Sequence, residues 1–302
     1  MTAALDALRR SSGAFAMVAL DQRESLRTML EDARGGDPQP ADVAAFKVAA
    51  TRALAPHASA VLLDRETGLP GVLDADALPA DTALLVAADR ICQPRGGMVA
   101  TTGLDRTVFQ TPAFVERAAA FKLLVIWRPG RGATRRARLV RAFIDACRAA
   151  GRPSLVEGIV RRPPQVAAQE WDHPAAVLAA ARELGGFEPD VYKAEVPTHG
   201  TGERATIVEA SRAITAALPC PWVVLSNGVA PDRFDDAAAA ACEGGASGFL
   251  AGRAIWTASL AAEDIERHLH EVAAPRLRAL AARIDAIVAA RDHLATPPEA
   301  VR

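Results

Sequence analysis

The chain contains 302 residues, of which 50% are hydrophobic and 24% are charged. This composition predicts a folded protein with a large core and excludes a disordered chain. Lys and Arg number 35 against 36 Asp and Glu, a net charge of -1, so no basic excess points to nucleic acid or to an anionic membrane surface.

The four cysteines lie far apart and form no C-x-x-C pair, which is typical of reduced thiols in a cytoplasm. The first residues lack the layout of a secretory signal. No apolar run approaches the roughly 18 residues of a membrane span. We therefore expect a cytoplasmic protein that binds neither membrane nor nucleic acid.

Eight short apolar runs recur along the chain, at residues 15–20, 60–63, 83–87, 121–127, 154–160, 190–196, 222–226 and 248–251. Helical patterns separate many of them, at 23–34, 40–54, 134–150, 174–185, 204–217 and 232–243, and a long amphipathic stretch follows at 263–292. Continuously apolar strands that alternate with helices predict a parallel sheet covered on both faces. Eight such units predict an α/β protein with one (β/α)8 TIM barrel.

The alternative fold is an open doubly wound sheet. That fold carries a G-x-G-x-x-G turn after its first strand, whereas this chain reads Ala-Leu-Asp-Gln-Arg at 19–23. We therefore predict a single barrel domain over residues 1–302, with a C-terminal tail that frays from about residue 293.

Charged side chains interrupt three of the apolar runs, at Lys122, Glu157 and Lys193. A lone buried charge is costly unless it is paired, so these positions are candidates for chemistry at the C-terminal mouth of the barrel. Lys193 and Glu195 are two residues apart, and we expect both to face the barrel interior.

A partly desolvated lysine beside a second ammonium binds its proton less tightly. We expect Lys122 to supply that second charge, so that the neutral amine of Lys193 can condense with a ketone. Glu157 is the candidate proton carrier. The alternative for these charges is an internal salt-bridge network that only fills the barrel mouth.

The ends of the last two runs predict an anion site, at Ser226, Asn227, Gly228, Gly252 and Arg253. Loops after strands seven and eight commonly bind phosphate in this fold, and a guanidinium suits phosphate or sulfonate oxygens.

The residues after the first run, Asp21, Gln22 and Arg23, are candidates for holding other parts of a substrate. A second anionic group would need its own cation, for which Arg23, Arg65 and Arg106 are candidates by location. The six histidines are scattered, so the sequence predicts no metal site and no cofactor.

At these residues the chain resembles the class I aldolases of the tagatose-1,6-bisphosphate aldolase type. The stretches that carry the resemblance are SSGAFAMVALDQRESLRTML (11–30), FKVAATRALAPHASAVLLD (46–64), FKLLVIWR (121–128), VEGIVRRPP (156–164), DVYKAEVP (190–197), PWVVLSNGV (221–229) and GASGFLAGRAIW (245–256). Within that type, the resemblance is strongest to the aldolases that cleave 6-deoxy-6-sulfofructose 1-phosphate in sulfoquinovose breakdown.

The resemblance implies a metal-independent aldehyde-lyase that acts on a small phosphorylated ketose. It implies that Lys193 forms the Schiff base, that Glu157 is the acid/base group and that Lys122 is the second active-site lysine. It implies further substrate contacts at Asp21, Gln22, Ser226, Gly228, Gly252 and Arg253. Because members of the family tend to assemble, a homo-oligomer is expected.

Two residues depart from the family pattern: Gly158 stands where Pro is usual, and Asn227 where Ser or Ala is usual. The stretch from Asp64 to Pro70 is more similar to the tagatose enzymes. Cleavage of tagatose or fructose 1,6-bisphosphate is therefore an alternative, as are a related lyase or transaldolase reaction and a non-catalytic sugar-phosphate sensor.

Overall fold

A computed structural model describes residues 5–295, and a closed barrel of eight parallel strands forms its centre. The strands of the described residues are β1 (Phe15–Leu20), β2 (Ala60–Leu63), β3 (Ala83–Ala87), β4 (Asp89–Cys92), β5 (Thr101–Leu104), β6 (Ala120–Trp127), β7 (Ser154–Val160), β8 (Val191–Glu195), β9 (Trp222–Leu225) and β10 (Gly248–Ala251). All except β4 and β5 belong to the barrel, and β1 closes it by pairing with β10. The predicted TIM barrel is confirmed.

Helices connect the barrel strands. They are α1 (Glu24–Arg34), α2 (Pro40–Leu54), α3 (Leu69–Asp74), α4 (Thr107–Gln110), α5 (Pro112–Arg117), α6 (Ala133–Ala149), α7 (His173–Gly185), α8 (Arg204–Ala217), α9 (Phe234–Glu243) and α10 (Arg253–Trp256). Local signals place several starts: Pro40 stands at the first position of α2, and the Asp172 side chain accepts a hydrogen bond from the Ala175 N–H at the start of α7.

The prediction of one continuous amphipathic stretch at 263–292 is wrong in one respect, because the structure divides this segment into three parts. It consists of α11 (Ile265–His268), a π turn (Leu269–Ala273) and α12 (Ala274–Ala295). α12 continues past the residue at which the tail was predicted to begin. The rest of that tail, residues 296–302, lies outside the described residues.

The alternation of side chains in each strand separates two apolar layers. In β1, Phe15, Met17 and Ala19 point into the barrel, whereas Ala16 and Val18 pack against the helices. A third, smaller group, Leu124, Ile159 and Leu225, lies nearer the mouth of the barrel.

The sequence analysis missed a two-stranded antiparallel sheet. β4 pairs with β5 so that Asp89 lies opposite Leu104 and Cys92 opposite Thr101. This hairpin leaves the barrel directly after β3 and returns before β6. Within residues 5–295, no helix is long and apolar enough to cross a bilayer.

Candidate active site

A cavity of about 360 Å³ opens at the C-terminal ends of the barrel strands. Ten of the eleven predicted site residues line it, namely Asp21, Gln22, Arg23, Lys122, Glu157, Lys193, Ser226, Asn227, Gly252 and Arg253. The barrel brings these side chains together because the same end of every parallel strand faces the cavity.

Gly228, the remaining predicted residue, is not part of the cavity wall. Its backbone has φ +78°, and a Cβ there would lie 2.2 Å from His199 Nδ1. The His199 ring in turn stacks on His173, with 3.6 Å between ring centroids. Gly228 therefore shapes the loop after β9 by letting His199 pack against its backbone.

Lys122 is buried at the base of the cavity among three carboxylates. Its Nζ lies 2.7 Å from Asp21 Oδ2, 3.0 Å from Asp89 Oδ2 and 2.8 Å from Glu157 Oε2. Burial alone would lower the pKa of Lys122, but the three carboxylates outweigh burial and raise it well above its ordinary value. Lys122 is therefore a fixed cation. The three carboxylates compensate its charge, and the sequence analysis did not predict this compensation.

Glu157 bridges the two lysines. Besides its contact with Lys122, its Oε1 lies 3.1 Å from Lys193 Nζ, because β7 and β8 are in register with Glu157 opposite Lys193. Burial would raise the pKa of Glu157, but Lys122 and Lys193 hold it below its ordinary value. Glu157 is thus a carboxylate at neutral pH, and it can accept a proton beside the amine of Lys193.

Lys193 lies on β8 and is 3% exposed. Among residues 5–295, Glu157 is the carboxylate within ion-pair distance of its amine. Lys193 also lines the cavity, so its amine lies between a base and the space that a substrate would enter. This is the arrangement that nucleophilic catalysis by an amine needs.

Arg161, which the sequence analysis did not select, lines the cavity close to Arg253. Desolvation lowers the pKa of both guanidinium groups, and neither Glu195 near Arg161 nor Glu157 and Glu195 near Arg253 fully compensate it. The Nε of Arg161 is buried and makes no hydrogen bond with the described residues. Together with Ser226 at the end of β9, these two cations form an electropositive end of the cavity.

Arg23 follows β1, and its side chain lies above the ends of β2 and β3. Its Nη2 donates to the Asp89 carbonyl over 3.0 Å, and its Nε is 3.7 Å from Asp64 Oδ1. The charge of Arg23 is therefore shared with acidic neighbours. Of the other predicted candidates for a second anion, neither Arg65 nor Arg106 lines the cavity, and Arg65 pairs with Asp105 at 2.8 Å.

Packing explains why position 158 is a glycine. A Cβ on Gly158 would lie 2.2 Å from the Tyr192 hydroxyl, which packs against the outer face of β7. Tyr192 is 1% exposed and has no room to move away. A larger residue at 158 would therefore overpack this site.

The model of the DeoC/LacD family aldolases matches residues 15–258. This range contains all eight barrel strands and every residue of the cavity wall. The chain belongs to the DeoC/LacD aldolase family, and it is an aldehyde-lyase.

Among curated proteins, the chain is similar to the tagatose 1,6-diphosphate aldolase of Listeria monocytogenes serotype 4a, with 29% identity over 286 residues, 83% of this chain and 80% of the relative. Among solved structures, it is similar to the fructose-bisphosphate aldolase from Slackia heliotrinireducens, with TM-score 0.64, 17% identity, and coverage of 100% of this chain and 92% of that one. A Schiff-base-forming fructose-1,6-bisphosphate aldolase gives TM-score 0.59 at 17% identity, over 94% of this chain and 99% of that one. At these identities, the two structures establish the shared fold.

Proposed function

We propose that the protein is a class I aldolase that cleaves 6-deoxy-6-sulfofructose 1-phosphate into dihydroxyacetone phosphate and 3-sulfolactaldehyde. The observation that carries this proposal is the buried array in which Glu157 contacts both Lys193 and Lys122 at the base of the cavity. A lysine amine, a base within reach and a fixed cation are the groups that Schiff-base chemistry on a ketose requires.

In the proposed reaction, Lys193 attacks C2 of the open-chain ketose and water leaves to give an iminium. Glu157, directly or through a water molecule, accepts the proton of the C4 hydroxyl. The C3–C4 bond then breaks, and its two electrons form the C2=C3 double bond of an enamine while C4 leaves as the carbonyl carbon of the aldehyde. Protonation of the enamine at C3 and hydrolysis release dihydroxyacetone phosphate and restore the amine.

Two parts of the cavity differ in charge. Arg161, Arg253 and the neighbouring backbone around Ser226 and Gly252 suit the 1-phosphate, which carries nearly two charges. Above β2 and β3, Arg23 is already paired with carboxylates, and Gln93, which also lines the cavity, is neutral. That part of the cavity favours a sulfonate, which carries one charge, over a second phosphate.

The second candidate is cleavage of tagatose or fructose 1,6-bisphosphate. The observations that favour it are the similarity to the Listeria tagatose 1,6-diphosphate aldolase and the stretch from Asp64 to Pro70. In this case Arg23 would hold the second phosphate in spite of its acidic neighbours.

A side-by-side cleavage assay with the three ketose phosphates tests the proposal. We expect kcat/KM for 6-deoxy-6-sulfofructose 1-phosphate to exceed the other two values by about tenfold or more, which corresponds to roughly 1.4 kcal/mol. We also expect the activity to persist in a metal chelator. A preference for either bisphosphate would overturn the substrate, release of product only with an added acceptor aldehyde would indicate a transaldolase, and no turnover would favour the sensor.

A further inference from the structure

Glu195 is a buried carboxylate that the proposed mechanism does not use. It is the last residue of β8 and is 1% exposed. Its Oε2 accepts a hydrogen bond from the Val160 N–H over 2.8 Å, and its Oε1 accepts one from Asn227 Nδ2 over 2.6 Å. Both oxygens are thus held in place by donors from the neighbouring strand ends.

Asn227 connects this carboxylate to Arg253. Its Oδ1 accepts a hydrogen bond from Arg253 Nη2 over 2.5 Å. A carboxylate accepts only from the NH2 group of the amide, and a guanidinium donates only to its oxygen, so both partners impose the same orientation on Asn227.

We propose that Glu195 and Asn227 are positioning residues that hold the Arg253 guanidinium over the cavity, and that the ionisation of Glu195 sets how strongly this end of the cavity binds a dianion. The inference rests on the proposed function only in taking Arg253 to bind the anionic end of the substrate. It adds two residues that act through Arg253 and a dependence of anion affinity on pH.

The sign of this dependence follows from the surroundings of Glu195. The charged groups around it are Arg161 beyond β7, Glu157 on β7, Arg253 beyond β10 and Lys193 on the same face of its own strand, while Tyr192 lies on the opposite face of that strand. Burial raises the pKa of Glu195 to about 7, although the Val160 and Asn227 donors and Arg161 oppose this rise. Above that pH the carboxylate competes with a bound dianion for Arg253, and below it the competition is relieved.

The test is the affinity for inorganic sulfate, a dianion that does not titrate in this range, measured by calorimetry from pH 6 to pH 8.5. We expect the Kd of the unmodified protein to rise about fivefold across this range, and that of Glu195→Gln to stay constant with pH, because the amide has no charge to titrate. The amide keeps only one of the two acceptors that Val160 and Asn227 use, so the comparison is between pH profiles and not between absolute Kd values. Asn227→Ala should raise Kd about tenfold at pH 7, since Arg253 loses its acceptor.

Two further variants make the test specific. Arg253→Met should abolish sulfate binding. Glu183→Gln is the matched control, because it makes the same change in a carboxylate that pairs with Arg136 outside the cavity, and it should keep the pH profile of the unmodified protein. Thermal unfolding verifies that each variant is folded, and Asn227→Ala, at a partly exposed position, serves if Glu195→Gln does not fold.

A pH profile of Glu195→Gln that matches the unmodified protein, an unchanged Kd in Asn227→Ala or in Arg253→Met, or a flat profile in Glu183→Gln would each overturn the proposal. Because sulfate binding requires no carbon–carbon cleavage, a negative cleavage assay with a positive sulfate series would reject the proposed substrate and leave this inference standing.

Discussion

Glu157 is the side chain that joins the two lysines into one unit. Without its charge, Lys193 loses its ion-pair partner among the described residues, and Lys122 keeps only Asp21 and Asp89. A glutamine at this position has the same size but cannot accept a proton from a substrate hydroxyl. Glu157→Gln therefore removes the base of the proposed reaction.

We therefore expect Glu157→Gln to lower kcat by about 100-fold or more, the usual contribution of a general base. Steady-state assays with the preferred ketose phosphate measure this effect, and thermal unfolding checks that the barrel is intact. Glu183→Gln is again the matched control and should keep its kcat. A folded Glu157→Gln variant within about threefold of the unmodified kcat would remove Glu157 from the mechanism.

The sequence alone did not show why position 158 is a glycine. The family resemblance marked it as a departure from Pro, but its cause is the Tyr192 hydroxyl on the neighbouring strand, 34 positions away in the chain. Such a contact depends on the register of β7 and β8, which no local pattern encodes.

We expect Gly158→Ala to lower the free energy of unfolding by about 2 kcal/mol through overpacking. In the background of Tyr192→Phe, which removes the hydroxyl, the same change should cost less than half as much. Urea denaturation of the four variants in this double-mutant cycle measures the coupling. Equal costs in both backgrounds would contradict the steric explanation.

The β4–β5 hairpin forms part of the cavity wall. Ile91, Met98 and Val99 from this hairpin contribute an apolar side to a cavity that is otherwise rich in charge. Its strands are four residues each, too short for a clear periodicity, although Pro94, Gly96 and Gly97 between them carried a turn signal that could have predicted it.

Shortening the hairpin tests its role. Replacing residues 93–100 by an Asn-Gly turn keeps the Cys92–Thr101 pair and removes Met98 and Val99. We expect KM to rise about fivefold, the effect of losing roughly 1 kcal/mol of contact, with little change in Tm. Cys92→Ser, on the same strand but outside the cavity wall, should keep its KM. An unchanged KM in the shortened protein would show that the hairpin does not contact substrate.

The barrel as a whole followed from the sequence because each buried parallel strand is a short, continuously apolar run, and its end is marked by polar residues. The same rule placed Lys122, Glu157 and Lys193 at the mouth. The rule also applies to Arg161, which directly follows β7 but was not among the predicted residues. The predicted homo-oligomer and cytoplasmic location stay predictions.

We expect the free energy of unfolding to depend on pH through the protonation of His173. Burial, His199 and Arg161 lower its pKa to about 4 from an ordinary value of 6.5. The folded protein thus binds fewer protons here than the unfolded chain between these values, so stability is full above pH 6.5 and is lost as the pH falls toward 4. This loss should amount to about 3 kcal/mol.

His173→Phe keeps a ring against His199 and removes the titration. We expect the difference in unfolding free energy between pH 7 and pH 4.5 to shrink by about 2 kcal/mol in this variant. Urea denaturation at the two pH values measures it, and His270→Gln, at an exposed histidine, should behave like the unmodified protein. The same pH difference in His173→Phe and in the unmodified protein would contradict the prediction.

Borohydride trapping with dihydroxyacetone phosphate is the measurement that bears most directly on the proposed chemistry. Reduction of an iminium should leave a stable adduct on the Lys193 peptide in mass spectrometry, and Lys193→Met should show neither adduct nor turnover. An adduct on another lysine, or full activity in a folded Lys193→Met variant, would show that the reaction does not pass through this amine.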